Sequence, residues 1–168
     1  MKIVGIVAEY NPFHAGHRHH IEATRQRLGE ECCVVAAMSG NFVQRGDAAI
    51  TDKWARARMA LEGGADLILE LPTVWAASSA ERFAMGAVSI LKLAGAEALS
   101  FGSESADSET LKAAAAALDS EQFQAALRRH LDGGLPFALC RQRAAEDLLG
   151  PEGAACLSSP NDNLGVEY

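Results

Sequence analysis

Residues 3–20 read Ile3-Val4-Gly5-Ile6-Val7-Ala8-Glu9-Tyr10-Asn11-Pro12-Phe13-His14-Ala15-Gly16-His17-Arg18-His19-His20. The apolar start is typical of a buried strand, and the polar continuation is typical of a turn into a helix. His14 and His17 are three residues apart, so both imidazoles are expected on one face of the first helical turn. Helix N-termini favour anions, and Gly16 would let a ligand approach the backbone closely. The stretch therefore predicts a phosphate-binding site after the first strand.

The rest of the chain predicts an α/β fold. Four short apolar runs alternate with helical patterns, which indicates a Rossmann-like parallel sheet flanked by helices. The predicted strands cover residues 2–8, 32–38, 66–71 and 96–101, and the predicted helices between them cover residues 15–28, 52–62 and 80–93. Polar helices are then expected over residues 108–118, 120–131 and 137–149. We expect a Rossmann-like core with the phosphate-binding site over residues 1–106 and a helical C-terminal segment over 107–168, where another helix should begin near Ser159.

Polar clusters follow each predicted strand. In an open parallel sheet, ligands bind beyond the carboxyl ends of the strands. The clusters occupy residues 9–17, 39–47, 70–72 and 102–104. The second has the composition of a substrate loop, for which the candidate residues are Ser39, Gly40, Asn41, Gln44, Arg45 and, from the next helix, Lys53. With Arg56 and Arg58, Lys53 could equally form a solvated helix face.

Charge and hydropathy restrict the functional classes. The formal net charge is −7, and residues 1–60 carry eight Lys/Arg against six Asp/Glu, which leaves seven against sixteen beyond them. An acidic later part would repel a nucleic acid backbone, so any RNA must be bound mainly elsewhere. No apolar stretch is long enough for a membrane span and no leader pattern is present, which predicts a cytoplasmic protein. The four cysteines have no CxxC spacing and are expected to be buried thiols.

The sequence lacks the glycine-rich phosphate-binding motifs and disfavours a metal site at the histidines. Neither the P-loop pattern GxxxxGK[ST] nor the dinucleotide pattern GxGxxG follows the first strand, so phosphate binding would depend on the histidines and the helix N-terminus. A zinc site of His14, His17 and His20 is disfavoured, because successive three-residue steps carry the third side chain around the helix. We therefore predict no metal ligands.

The segment His14-Ala15-Gly16-His17 resembles the HxGH signature of the nucleotidylyltransferase superfamily. Further segments make a longer string that resembles the tRNA(Met) cytidine acetate ligase family over nearly the whole chain. These segments are residues 5–17, 38–46, 52–54, 66–72, 101–104 and 159–161. The chain departs from the family pattern at Pro160-Asn161-Asp162-Asn163-Leu164-Gly165, where the family usually has Pro-Asn-Asn-Ile-Leu-Gly.

The resemblance implies an ATP-dependent ligase that converts free acetate to acetyl-adenylate and then acetylates N4 of the wobble cytidine of elongator tRNA(Met). It implies catalytic roles for His14 and His17, and Mg²⁺ is expected to accompany ATP. The ATP contacts it implies are Val7, Ala8, Glu9, Tyr10, Asn11, Pro12, Phe13, His14, Gly16, His17, His20, Gly102 and Asn161. Family members are longer and carry a basic tRNA-binding region beyond the part matched here. We therefore expect an N-terminal fragment.

Two alternative functions remain at this point. Small adenylyltransferases of the same superfamily are complete at about this length and transfer AMP to a phosphorylated metabolite. A nucleotide-binding module without catalysis is the other. Substitution of His14 and His17 by Ala separates the second alternative, because phosphate-contacting histidines should lose roughly 1 to 3 kcal/mol of binding.

Overall fold

The computed structural model describes residues 1–168 except for the side chain of Arg45. The chain packs as two units, Met1–Phe101 with Tyr168, and Gly102–Glu167. The elements of the first unit are β1 (Ile3–Ala8), α1 (Ala15–Leu28), β2 (Cys33–Ser39), a 3₁₀ turn (Gln44–Gly46), α2 (Lys53–Glu62), β3 (Leu67–Leu71), α3 (Thr73–Ala76), α4 (Ala80–Leu93) and β4 (Ala98–Leu99). The sequence placed the division of the chain a few residues later, after residue 106.

The four strands form one parallel sheet in the order β3-β2-β1-β4. The chain runs outwards from β1 through β2 to β3 and then crosses to the other side of β1. The switch point of the topology therefore lies beside the carboxyl end of β1, which is where ligands bind in open α/β sheets. The predicted α/β fold is confirmed, and the stretch Glu9–His17 leaves the sheet at this point.

The two faces of the sheet follow the alternation of β1. Val4 and Ile6 belong to a core that also includes Ile21 of α1 and Ala60 of α2. Gly5 points to the other face, where an added Cβ would lie 2.8 Å from Leu91 of α4. Glycine at this position therefore allows α4 to pack closely against β1.

The second unit is helical, as expected. It comprises α5 (Ser108–Leu118), α6 (Glu121–Asp132), α7 (Phe137–Ala154), a 3₁₀ turn (Ala155–Ser158) and α8 (Pro160–Glu167). Its own core is formed by residues that include Leu111, Phe123 and Cys140. Helix α7 is interrupted at Gly150, where φ is +73° and Pro151 follows. This is the Gly-Pro position that the sequence used to end the helix at residue 149.

Cysteines and hydropathy agree with simple structural roles. Cys32, Cys140 and Cys156 are buried free thiols, and Cys33 is partly buried. Within the described part of the chain, none of the helices has the length and apolar character that a bilayer crossing requires.

Candidate nucleotide-binding site

A sharp turn connects β1 to α1 and presents the two histidines. Tyr10 has a positive φ of 46°, and the Asn11–Pro12 peptide bond is cis. The ring of Tyr10 packs edge-on against Phe13 and His17, with centroid distances of 5.0 and 4.8 Å. Burial raises the pKa of Tyr10 to about 12, so its hydroxyl stays protonated. This aromatic cluster holds His17 against the end of the strand.

The two histidines cap the N-terminus of α1 reciprocally. His14 is the N-cap residue, and its Nδ1 accepts a hydrogen bond from the Gly16 backbone N–H at 3.1 Å. His17 Nδ1 accepts one from the His14 backbone N–H at 3.2 Å. This is a capping box in which imidazoles replace the usual hydroxyl and carboxylate. The histidines are thus fixed by the backbone that they stabilise.

The capping bonds determine the proton position on each ring. Because Nδ1 accepts a hydrogen bond, a neutral ring carries its proton on Nε2, on the other side of the imidazole. Burial, together with smaller contributions from the neighbouring His14 and His20, lowers the pKa of His17 to about 4. The rings of His14 and His17 are stacked with centroids 3.7 Å apart. Near neutral pH, His17 is therefore a neutral donor through Nε2–H, next to a helix N-terminus.

Gly16 leaves room for the His14 ring. A Cβ at Gly16 would lie 3.0 and 3.1 Å from Cε1 and Nδ1 of His14. The imidazole could then not keep its capping position without moving. This differs in emphasis from the sequence interpretation, which assigned the free space at Gly16 to a ligand.

His20 faces another group than His14 and His17 do. Its Nε2 lies 2.9 Å from the Ser100 hydroxyl, and that hydroxyl lies 2.6 Å from Oγ1 of Thr24. Burial lowers the pKa of His20, and His19 adds to the effect. The structure therefore ties His20 to the end of β4, and its ATP contact stays a prediction. The link through Ser100 has no signal in the local sequence, since the two residues are 80 positions apart.

The loop after β2 is attached to the turn after β1. Residues 41–49 form a small hairpin with a bridge between Phe42 and Ala48. Glu9 Oε1 accepts a hydrogen bond from the Gln44 backbone N–H at 2.6 Å, and Asn11 Oδ1 accepts one from the Ile50 N–H at 2.7 Å. The structure thus brings Glu9, Asn11 and Gln44 together, as the common edge of the sheet predicts.

Arg56 of α2 connects the segments that follow β1 and β2. Its side chain has 0% exposure and donates to the backbone carbonyls of Glu9 at 2.6 Å, Thr51 at 3.2 Å and Gly40. Burial lowers the pKa of Arg56, and the charges of Glu9 and Asp52 partly oppose that shift. The interpretation of Arg56 as part of a solvated face was wrong. Helix periodicity could not show that three carbonyls converge at this position.

Lys53 lies at the outer part of this edge. Its ammonium contacts both carboxylate oxygens of Glu70, at 2.8 and 2.6 Å, and its backbone N–H donates to Asn41 Oδ1. A Cβ at Gly40 would come within 2.5 Å of Glu70 Oε1, so Gly40 leaves room for this ion pair. Ser39 is fully buried, and its hydroxyl has no hydrogen-bond partner among the described atoms. The side chain of the predicted loop residue Arg45 lies outside the described part of the structure.

The remaining predicted contacts differ in exposure. Val7, Ala8 and Phe13 are partly buried, and Pro12 is exposed at the turn. Phe13 packs on α2, since a Cβ at Gly63 would lie 2.3 Å from its ring. Phe13 therefore anchors the turn in addition to any contact with a nucleotide.

In the second unit, Asn161 and the residues that follow Gly102 form a network of their own. Glu104 accepts hydrogen bonds from the N–H and Nδ2 of Asn161, at 3.1 and 3.0 Å, and from the Asp162 N–H at 2.9 Å. Asp162 is buried and accepts from the Ser103 hydroxyl and from two backbone N–H groups. Its burial would raise its pKa, but these hydrogen bonds outweigh that effect and the pKa is lowered. The segment after Gly102 and the start of α8 therefore fix one another.

A family model described as HIGH Nucleotidyl Transferase matches residues 1–168. The chain belongs to this family of nucleotidyltransferases, and the class predicted from the histidine motif is confirmed. The chain is similar to proteins named tRNA(Met) cytidine acetate ligase, with 43% identity to that of Alkaliphilus metalliredigens and 46% to that of Caldanaerobacter subterraneus. Each alignment covers 100% of this chain and 43% of the relative.

A solved structure agrees with these relatives. Thermotoga maritima TmcAL bound with alpha-thio ATP superposes with a TM-score of 0.90 at 41% identity, over 100% of this chain and 42% of that chain. The resemblance drawn from the motifs is therefore confirmed. The chain spans about two fifths of the length of the relatives it matches.

Proposed function

We propose that the chain carries the ATP-binding and acetate-activating part of a tRNA(Met) cytidine acetate ligase. The observation that supports this most is the capped histidine pair at the N-terminus of α1, with Nδ1 of both rings accepting backbone hydrogen bonds. A site of this kind offers N–H donors and the positive end of a helix dipole to phosphate oxygens. The names of the relatives indicate the substrates, and the alpha-thio ATP bound to T. maritima TmcAL indicates the nucleotide.

In the proposed first step, a carboxylate oxygen of acetate attacks the α-phosphorus of ATP. The new bond joins that oxygen to phosphorus, the α–β bridging P–O bond breaks, and pyrophosphate leaves. Negative charge grows on the phosphate oxygens, which His14 and His17 stabilise by donating Nε2–H hydrogen bonds. In the second step the cytidine N4 attacks the acetyl carbonyl, AMP leaves, and N4 loses a proton.

The neutral state of His17 suits this role. A neutral imidazole needs no counter-ion in the resting site. It can donate its Nε2–H hydrogen bond to phosphate oxygens and keep the proton when pyrophosphate leaves. The nucleotide contacts that we propose are those implied by the motif, residues 7–14, 16, 17 and 20, together with Gly102 and Asn161. We expect Mg²⁺ to arrive with ATP on the phosphate oxygens, which are the oxygen ligands that this ion prefers.

The loop of Ser39, Gly40, Asn41, Gln44 and Arg45, with Lys53, is proposed as the substrate side of the site. Its attachment to Glu9 and Asn11 supports this assignment, because it places the loop beside the histidine turn. Elongator tRNA(Met) is the proposed acceptor, with most of its contacts in the further part present in the longer relatives. We expect the protein to act in the cytoplasm, where ATP and tRNA are found.

Exchange of labelled pyrophosphate into ATP tests the proposal. We expect exchange that depends on acetate, that is lost in His14→Ala and His17→Ala, and that is retained in Leu93→Ala, whose side chain is exposed on α4. Exchange that is independent of acetate but depends on a phosphorylated acceptor would indicate a small-molecule adenylyltransferase instead. Nucleotide binding without any exchange would indicate a non-catalytic module and would contradict acetate activation by this chain.

A further inference from the structure

Three apolar side chains are exposed along the substrate loop and the first turn of α2. Trp54 is 74% exposed, Ile50 72% and Phe42 46%, and we call these three residues the apolar ridge. The other tryptophan, Trp75, is partly buried and packs on Gly86, where an added Cβ would lie 2.6 Å from its ring. Trp54 is therefore the tryptophan whose ring is open to a partner.

The apolar ridge adjoins the histidine turn. The backbone N–H of Ile50 donates to Asn11, three residues before His14. The N–H of Lys53, directly before Trp54, donates to Asn41, directly before Phe42. The first bond attaches the ridge to the segment that carries the proposed ATP site, and the second joins the two ends of the ridge to each other. All of these residues lie within the first unit.

The charges around Trp54 favour an anionic partner with a flat apolar part. Arg58 is exposed one turn along α2 on the same side as Trp54, whereas Lys53, whose Nζ lies 5.3 Å from the Trp54 ring centroid, is paired with Glu70. Residues 1–60 have a positive balance although the whole chain has a net charge of −7. Single-stranded RNA combines both properties, since its bases stack on aromatic rings while its phosphates contact cations.

We infer that Trp54 is a stacking platform for an unstacked base of single-stranded RNA, with Arg58 beside it for a backbone phosphate. The inference rests on the proposed function, because an acceptor cytidine must leave its stack before N4 can reach an acyl-adenylate. It goes further than the proposed function because it assigns RNA contacts to the first sixty residues. By itself, the charge distribution of the sequence suggests that RNA is bound mainly by another part of the protein.

Binding of labelled single-stranded hexacytidylate at low salt, followed by fluorescence anisotropy, tests the inference. Trp54→Ala should weaken binding about 5- to 100-fold, the range typical for loss of one stacked base. Trp54→Phe should stay within about threefold of the wild type, because phenylalanine retains a stacking face. Leu93→Ala removes an apolar side chain that is even more exposed, at the C-terminal end of α4, and should change nothing. An abasic hexamer should bind the wild type and Trp54→Ala equally, which separates base stacking from backbone charge.

The inference is overturned if Trp54→Ala binds hexacytidylate as the wild type does, or if the wild type shows no binding at millimolar hexamer. It is also overturned if sedimentation velocity shows a dimer that Trp54→Ala dissociates while RNA affinity is unchanged, since the ridge would then be a protein interface. Titration of the wild type with a non-hydrolysable ATP analogue is done in parallel. Failure of nucleotide binding with intact RNA stacking would refute the proposed function alone, and the reverse result would refute only the role of Trp54.

Discussion

Replacement of Arg56 by Met tests whether this buried guanidinium holds the site together. The substitution leaves three backbone carbonyls, those of Glu9, Gly40 and Thr51, without their donors. Hydrogen bonds from a charged donor contribute about 1.5 to 3 kcal/mol each, and part of that sum is recovered because a charge no longer has to be buried. We expect the free energy of unfolding to fall by about 3 kcal/mol, a large fraction of the roughly 5 to 15 kcal/mol typical of a domain.

Urea unfolding followed by tryptophan fluorescence measures this effect. Both tryptophans, Trp54 and Trp75, lie in the first unit, so the signal reports on the part that Arg56 stabilises. Arg58→Met is the matched control, because Arg58 lies on the exposed side of the same helix and should cost less than about 0.5 kcal/mol. A loss below about 1 kcal/mol for Arg56→Met, equal to that of the control, would refute the view that Arg56 ties the strand ends.

Three further outcomes concern the histidine turn and the second unit. The free energy of unfolding should decline as the pH falls from 6.5 towards 4, because His17 binds a proton in the unfolded chain before it does so in the folded protein. Allowing for the partial exposure of His17, we expect a loss of about 1 to 2 kcal/mol. His17→Gln, which keeps an acceptor at this capping position, should show less pH dependence. Gly16→Ala should weaken binding of an ATP analogue about fivefold in calorimetry, because the new methyl group displaces the His14 ring. The melting temperature should not fall, because alanine favours the helix more than glycine does. A lower melting temperature with unchanged affinity would contradict this explanation. Glu104→Ala should cost about 1 kcal/mol in chemical unfolding followed by circular dichroism, because two N–H groups at the start of α8 lose their acceptor; a cost equal to that of the exposed control Glu109→Ala would contradict the capping role.

The sequence predicted most of the helices and the edge of the sheet that carries the site. Helix α1 was predicted with both of its bounds, because Gly29 follows its last residue and the capping residues precede its first. β4 is shorter than the apolar run at residues 96–101, since only Ala98 and Leu99 pair with β1. Apolar patterns show where strands can lie but not how many of their residues find a partner.

The roles of single polar residues were harder to predict. Arg56 was interpreted as solvated because helix periodicity reports on neighbours along the helix and not on carbonyls from distant strands. Gly16 was interpreted as space for a ligand, which stays a prediction, and nothing in the sequence indicated that the His14 ring would lie beside it. The contacts of Arg56 come from three separate loop segments, and that of Gly16 comes from the course of the turn after β1, which local sequence patterns do not encode.

The histidine capping box links folding and the proposed chemistry in one feature. The same Nδ1 atoms that satisfy the first N–H groups of α1 fix the protons on the Nε2 atoms. A substitution that keeps the acceptor but removes the Nε2–H therefore separates the two roles. His17→Glu is such a variant, because a carboxylate at this position can accept the capping hydrogen bond and has no N–H to donate, whereas His17→Ala removes both the cap and the donor.

Calorimetric titration of the wild type and His17→Ala with a non-hydrolysable ATP analogue and with adenosine tests the central claim most directly. If the neutral imidazole donates to phosphate, His17→Ala should lose about 10- to 150-fold in affinity for the analogue, the equivalent of about 1.5 to 3 kcal/mol, and little for adenosine. Equal losses for both ligands, or no loss for the analogue, would contradict the claim that the histidine pair binds the phosphates of ATP.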